Sequence, residues 1–344
     1  MTNIARGFFC YTAYMRQKSK RGSFGGAIVL GLLLLVLGVT WFERNAVYDW
    51  FKLRNYQASS QVMQLAVQTT MTPQASHLFY VNHPQVQSSA NFNQSCPNNG
   101  GEQTIVLGCY HSHETGIFLY NVSDPQLNGV MQVTAAHETL HAIYERLSSK
   151  QKKYVDGLLE DYYQHDLHDQ RILDTIAAYK KSEPNDVVNE MHSVFGTEVA
   201  SLPPALETYY AQYFTDRAKI VSYSEQYEAA FSSRKTQTDS ILQQITALEQ
   251  QLSSLKPQID AEEADLSNKL QAINSQPTTA TDIDAFNAQV EAYNSELAQY
   301  KDQVNTYNQL VDQHNQLRSQ YQSIAVEESQ LFQELDSQSS STPQ

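Results

Sequence analysis

The chain has 344 residues, of which 41% are hydrophobic, and a net charge of −14, enough apolar material for one substantial core in one or two domains. Residues 1 to 21 carry Arg6, Arg16, Lys18, Lys20 and Arg21 and no acid, so subtracting these five charges leaves about −19 on the remainder. So acidic a body argues against nucleic acid as a partner.

Residues 22–42 hold no charge and as a helix would extend roughly 31 Å at about 1.5 Å per residue, the thickness of a bilayer core. The basic cluster before this run is expected to stay cytoplasmic, and Trp41 and Phe42 stand where interfacial aromatics belong. A cleaved signal peptide is the alternative, but Trp41-Phe42-Glu43-Arg44 lacks a small-residue cleavage pattern. The reading is therefore a single-pass protein with its N-terminus cytoplasmic and everything after residue 42 outside. Cys10 then lies on the reducing side, whereas Cys96 and Cys109 lie outside, flank a short Pro-Asn-Asn-Gly-Gly segment and are expected to form a disulfide.

Residues 43–75 read as a helical linker with a loose apolar pattern. Three short runs, 77–81, 104–108 and 116–122, are separated by Asn, Gly, Pro and Ser clusters and predict a small sheet. Residues 116–122 are the expected edge strand for an extended substrate peptide. From Val130 the period becomes helical: a helix over 131–147, two more within 149–181, another over 185–202 and one starting at Pro203-Pro204, since proline suits a first turn. Sheet followed by helices is an α+β arrangement.

Within the first of these helices stands His137-Glu138-Thr139-Leu140-His141. Histidines four apart share one helical face and can hold one metal ion. Glu138, beside the first of them, can take a proton from an activated water and return it to a leaving amine. A catalytic zinc needs a third protein ligand. Tyr144 and Leu147 stand where a further Gly and His would fall in the metzincin pattern. Downstream, Asn189-Glu190-Met191-His192-Ser193 is a helical stretch with an acid after Asn.

These two segments together resemble the gluzincin clan of zinc metallopeptidases, and the run Gly196-Thr197-Glu198 with Leu202 to Glu207 resembles small membrane-anchored bacterial members. The resemblance covers roughly residues 77 to 217. It implies a zincin-like peptidase domain acting on a protein or peptide substrate, with one zinc ion per chain. His137 and His141 would be ligands, Glu138 the general base and Glu190 the third ligand, with Glu198 as the rival. Tyr209, Tyr210 and His192 are the candidate oxyanion stabilisers. His111 and His113, and the acid-histidine run over 160–169, read as ordinary loop and helix-end residues.

The last third is rich in Gln, Ser, Glu and Asn. Ile245, Leu252, Ile259, Leu266 and Ile273 repeat every seven residues, flanked by Ile241, Leu248 and Leu255. Residues 275–281 break the helix, and a second series follows with Phe286, Tyr293, Tyr300, Tyr307 and Tyr321, offset by Val290, Leu297, Val304 and Val311. Two long helices with a short connection predict an antiparallel coiled-coil hairpin, with Pro257 kinking the first arm and Glu262 interrupting its seam. Such a seam also suits self-association or a protein partner. The domain reading is thus a basic segment 1–21, a transmembrane helix 22–42, a linker 43–75, a metallopeptidase domain 76–217, a hairpin 218–337 and a disordered tail 338–344. The competing function is a non-catalytic envelope scaffold with a vestigial metal-binding domain. Glu138 discriminates, because a structural zinc site has no use for a carboxylate beside its first histidine.

Overall fold

The computed structural model describes residues 29, 30, 32, 38, 43–97, 105–113, 115–276 and 283–338. The basic segment 1–21, most of the transmembrane reading over 22–42 and all but Gln338 of the tail lie outside these residues. Among the described residues no helix is long and apolar enough to cross a membrane. The chain divides into two units, 1–56 and 57–344. The first contributes α1 (Arg44–Leu53), with an edge-to-face pair between Trp50 and Phe51.

The second unit is mostly helical with one small sheet, an α+β arrangement. It opens with α2 (Ser60–Gln68) and α3 (Pro73–Val81). Ser59 and Thr72 cap these helices, their hydroxyls accepting from the amides of Val62 and Ala75 at 3.3 Å. Residues 77–81 are therefore helix and not the predicted strand. Thr72 as N-cap and Pro73 in the first turn start a helix that outweighs the β preference of Phe79-Tyr80-Val81, and Ala75, Leu78 and Phe79 fall on one buried face. α2 packs into the core, with Val62, Leu65 and Ala66 against Phe79, Ile117, Leu119 and Ala135.

The sheet contains β1 (Gln85–Gln87), β2 (Gly108–His111) and β3 (Gly116–Tyr120) in the order β1-β3-β2, with α4 (Ser89–Ser95) between the first two. β3 pairs parallel to β1, Val86 facing Leu119, and antiparallel to β2, Cys109 facing Phe118 and Tyr110 facing Ile117. The predicted edge strand is consequently the central strand, and β1 and β2 are the two edges. Ile117 and Leu119 are fully buried, as a central position requires. Of the run predicted over 104–108, residue 104 lies outside the described residues, and among 105–108 only Gly108 enters the ladder, because antiparallel register with β3 fixes the pairing there; before it, the carbonyl of Leu107 accepts from the amide of Tyr120 at 2.9 Å.

After a short 3-10 turn come α5 (Val130–Arg146), α6 (Ser149–His165), α7 (Gln170–Ser182), α8 (Val187–Glu198) and α9 (Pro204–Tyr210). Nearly all of α5 between Val133 and Ile143 is buried. Its small residues Ala135, Ala136 and Ala142 combine high helix propensity with room for neighbours. The buried hydroxyls of Thr134 and Thr139 are satisfied by the carbonyls four residues earlier, at 2.9 and 2.6 Å. α8 packs against α5 through Gly196, where a Cβ would lie 2.5 Å from Leu140 Cδ1 and 2.8 Å from Tyr210 Cε1. α6 begins with a reciprocal capping box between Ser148 and Gln151. Pro204 occupies the first turn of α9.

Two long helices complete the unit, α10 (Arg217–Asn274) and α11 (Ile283–Leu335). They pair antiparallel within the chain: Phe231 meets Phe332, Arg234 meets Glu327, Glu249 meets His314, Lys269 meets Glu296 and Gln276 meets Gln289. The heptad residues are the buried and half-buried ones, Ile241, Ile259 and Leu266 being the most enclosed. α10 runs through Pro257 without a break. At its base the hairpin joins the core: Leu331 and Leu335 pack with Phe92, Tyr120, Leu127 and Val130. The buried guanidinium of Arg217 holds the carbonyls of Phe195 and Val199 and the carboxylate of Glu207, tying α10 to the end of α8 and to α9.

Candidate metal centre

The spacing of four in α5 places His137 and His141 on one face, their ring centroids 4.8 Å apart. α8 crosses this face and brings the carboxylate of Glu190 between them: Oε2 lies 3.5 Å from His137 Nε2 and Oε1 lies 3.4 Å from His141 Nε2. Glu190 is 5% exposed. Burial pushes its carboxyl upward, but the charge of His141, a hydrogen bond and charge from His137, and a hydrogen bond from Tyr179 outweigh it, so the net direction is down. A carboxylate this enclosed has to be paired or to coordinate a cation. The ligating atoms of His137, His141 and Glu190 all lie within 4.8 Å of one another, so this buried group can hold a metal ion. On the far side of His141, Ser193 Oγ lies 3.4 Å from Nδ1, in position to fix the ring with Nε2 toward Glu190.

The three residues open onto a cleft of about 470 Å³ whose other walls include Glu138, Tyr144, Tyr179 and β2. Glu138 is 6% exposed, and β2 runs directly over it. A Cβ at Gly108 would lie 2.8 Å from Glu138 Oε1 and 2.5 Å from Thr134 Cγ2, so glycine lets the edge strand approach the metal helix. Glu145, two turns beyond Glu138, holds that strand in place. Its carboxylate accepts from the Tyr110 hydroxyl at 2.6 Å and from the His113 amide at 2.9 Å. His113, at φ 59°, makes the turn between β2 and β3.

Several predicted residues are placed elsewhere. Glu198, in the last turn of α8, is paired with Arg171 at 2.5 Å and does not join the histidines. His192, Tyr209 and Tyr210 are buried in the main core rather than along the cleft. Their rings pack on one another between α8 and α9, and His192 also packs on Tyr144 with centroids 5.3 Å apart. His192 Nε2 lies 2.9 Å from the Tyr209 hydroxyl, and Tyr210 donates to the His192 carbonyl at 2.7 Å. Burial, with the neighbouring charges of His141 and His137, pushes His192 down to about 3 and keeps it neutral. Cys96 and Cys109 form the disulfide expected of them.

Tyr179, a single aromatic on α7 that belongs to no motif, reaches Glu190. Tyr144 also lines the cleft; its hydroxyl donates to Asp156 at 2.9 Å, Lys152 lies 4.5 Å over its ring, and burial pushes the hydroxyl up. Glu183 and Asp186 bring two further carboxylates to the rim near Glu190. The local signal for these was only their acid type after a helix end. No family model, curated protein or solved structure matches the chain.

Proposed function

We propose that this chain is a zinc-dependent endopeptidase of zincin-like fold, anchored in a membrane through residues 22–42 with its catalytic body outside the cytoplasm. The observation that carries the reading is the seating of Glu190 within 3.5 Å of both imidazoles, with Glu138 on the same helix at the floor of the cleft. Two imidazoles and one carboxylate, with the remaining side open to a cleft, suit a catalytic rather than a structural zinc, which takes four protein ligands.

His137, His141 and Glu190 would hold the ion. When bound, zinc supplies Lewis acidity, making a water acidic and polarising a peptide carbonyl. The chain's own residues supply the rest. Glu138 accepts the proton of the attacking water and returns it to the leaving amine. Ser193 keeps His141 turned toward the donor cluster, and Tyr179 does the same for Glu190. β2 offers an open sheet edge beside Glu138 on which an extended peptide can add as a strand, and its covering of Glu138 keeps bulk water from the carboxylate.

Removal and return of the metal tests this reading. The full chain, dialysed against a chelator, should lose cleavage of an unstructured protein and regain it with one equivalent of zinc. Cleavage that persists in metal-free protein would overturn it.

A further inference from the structure

The edge strand has two chemically different faces. Gly108 and Tyr110 face α5, where they meet Thr134, Glu138 and Glu145. Cys109 and His111 alternate with them on the opposite face of the strand, and with Cys96 they also line the cleft. On that side Cys109 is bonded to Cys96, the residue that closes α4. His111 Nε2 lies 3.5 Å from Cys109 Sγ, and its ring packs on Phe118 with centroids 5.1 Å apart. The ligating atoms of Cys96, Cys109 and His111 all fall within 4.8 Å of one another. Two sulfurs and an imidazole nitrogen are the donor set of a tetrahedral zinc site. Only the bond between the sulfurs keeps them from acting as one. Tetrahedral zinc holds two thiolates about 3.8 Å apart, a span the 6.1 Å Cα separation accommodates.

We propose that reduction of the Cys96–Cys109 disulfide converts this face of β2 into a second zinc site, formed by the two thiolates and His111 and separate from the cluster of His137, His141 and Glu190. A dithiol reductant supplies the two electrons. One of its thiolates attacks a cysteine sulfur, the mixed disulfide is resolved by its second thiol, and the reductant leaves as a cyclic disulfide while both cysteines take up protons. Zinc then displaces the two thiol protons, and a water fills the fourth position. A disulfide oxidant takes the two electrons back by exchange, itself ending as a dithiol; this expels the metal and restores the Cys96–Cys109 bond, so the strand that covers Glu138 carries a site whose occupancy follows the redox state.

Cobalt(II) tests this without reference to peptidase activity, because the histidine-glutamate cluster contains no sulfur. The full chain carrying Cys10→Ser is titrated as isolated and after reduction by a non-chelating phosphine, which ends as the phosphine oxide. The reduced protein should bind one more cobalt than the oxidised protein and show intense thiolate-to-cobalt charge-transfer absorption. Cys109→Ser should lose that absorption while keeping the other equivalent, and His111→Ala should shift the titration to higher cobalt. The proposal is overturned if reduction adds no equivalent, if the absorption survives in Cys109→Ser, or if circular dichroism shows helix lost on reduction and not regained with metal.

Discussion

Ser193 Oγ lies 3.4 Å from His141 Nδ1, so the helix that delivers Glu190 to the imidazoles also holds the far side of one of them. Outer partners of this kind set both the tautomer and the orientation of a ligating ring. Ser193→Ala should therefore weaken metal binding by about 10- to 100-fold, read by competition with a chromophoric chelator. An unchanged affinity would remove Ser193 from the centre.

Glu190 and Glu198 sit on the same helix but in opposite settings, one against two imidazoles and the other against Arg171. Glu190→Ala should lose the metal, while Glu198→Ala should retain one equivalent, as measured by elemental analysis after dialysis. The reverse outcome would transfer the ligand role to Glu198.

Gly108 is the point at which the edge strand touches Glu138. Gly108→Val would drive a side chain into Glu138 and Thr134, and overpacking of this kind costs about 1–3 kcal/mol. Displacing a catalytic group by about 1 Å can cost on the order of 100-fold in rate. The variant should fold, keep its metal and lose most of its turnover. Full activity would mean that β2 does not bear on the base.

Arg217 is 6% exposed and holds two carbonyls at the end of α8 together with Glu207. Arg217→Met strands these acceptors and should destabilise the fold by on the order of 3 kcal/mol, seen as a lower midpoint in urea. The effect should depend on pH. Burial raises the Glu207 carboxyl, but the hydrogen bond and charge of Arg217 exceed it, and its folded value lies below the ordinary one. A depressed carboxyl contributes stability above its unfolded pKa of about 4 and loses it as pH falls through the lower folded value. The gap between wild type and variant should therefore narrow below about pH 4. A gap that is constant or widens in acid would contradict the pairing.

How much of this was legible in the sequence varies with the range of the interaction that decides it. The two histidines and Glu138 follow from a local period, and the seam of the hairpin follows from heptads that need only one partner helix. Pro204 marks a helix start by its own chemistry. Residues 77–81 have the composition of a strand, but the decisive signal, Thr72-Pro73, lies outside the apolar run. The place of β3 at the centre of the sheet depends on the parallel pairing with β1, which is three residues long and rich in Gln; no local pattern encodes it. Tyr209, Tyr210 and His192 looked like oxyanion donors by type, but three large rings in a row on facing helices are equally what a core needs, and the core is where they lie. Tyr179 reaches Glu190 only because α7 and α8 pack together, a relation invisible in either segment alone.

The claim that the site is catalytic is tested most directly by Glu138→Gln in the full chain, assayed beside wild type for zinc content and for cleavage of an unstructured protein. Both proteins should hold one zinc per chain, and only the wild type should release peptides, since the amide cannot take the proton of the attacking water. Equal cleavage by the two, or zinc-loaded wild type that is inert across a broad peptide library, would contradict the account and favour a scaffold built around the hairpin.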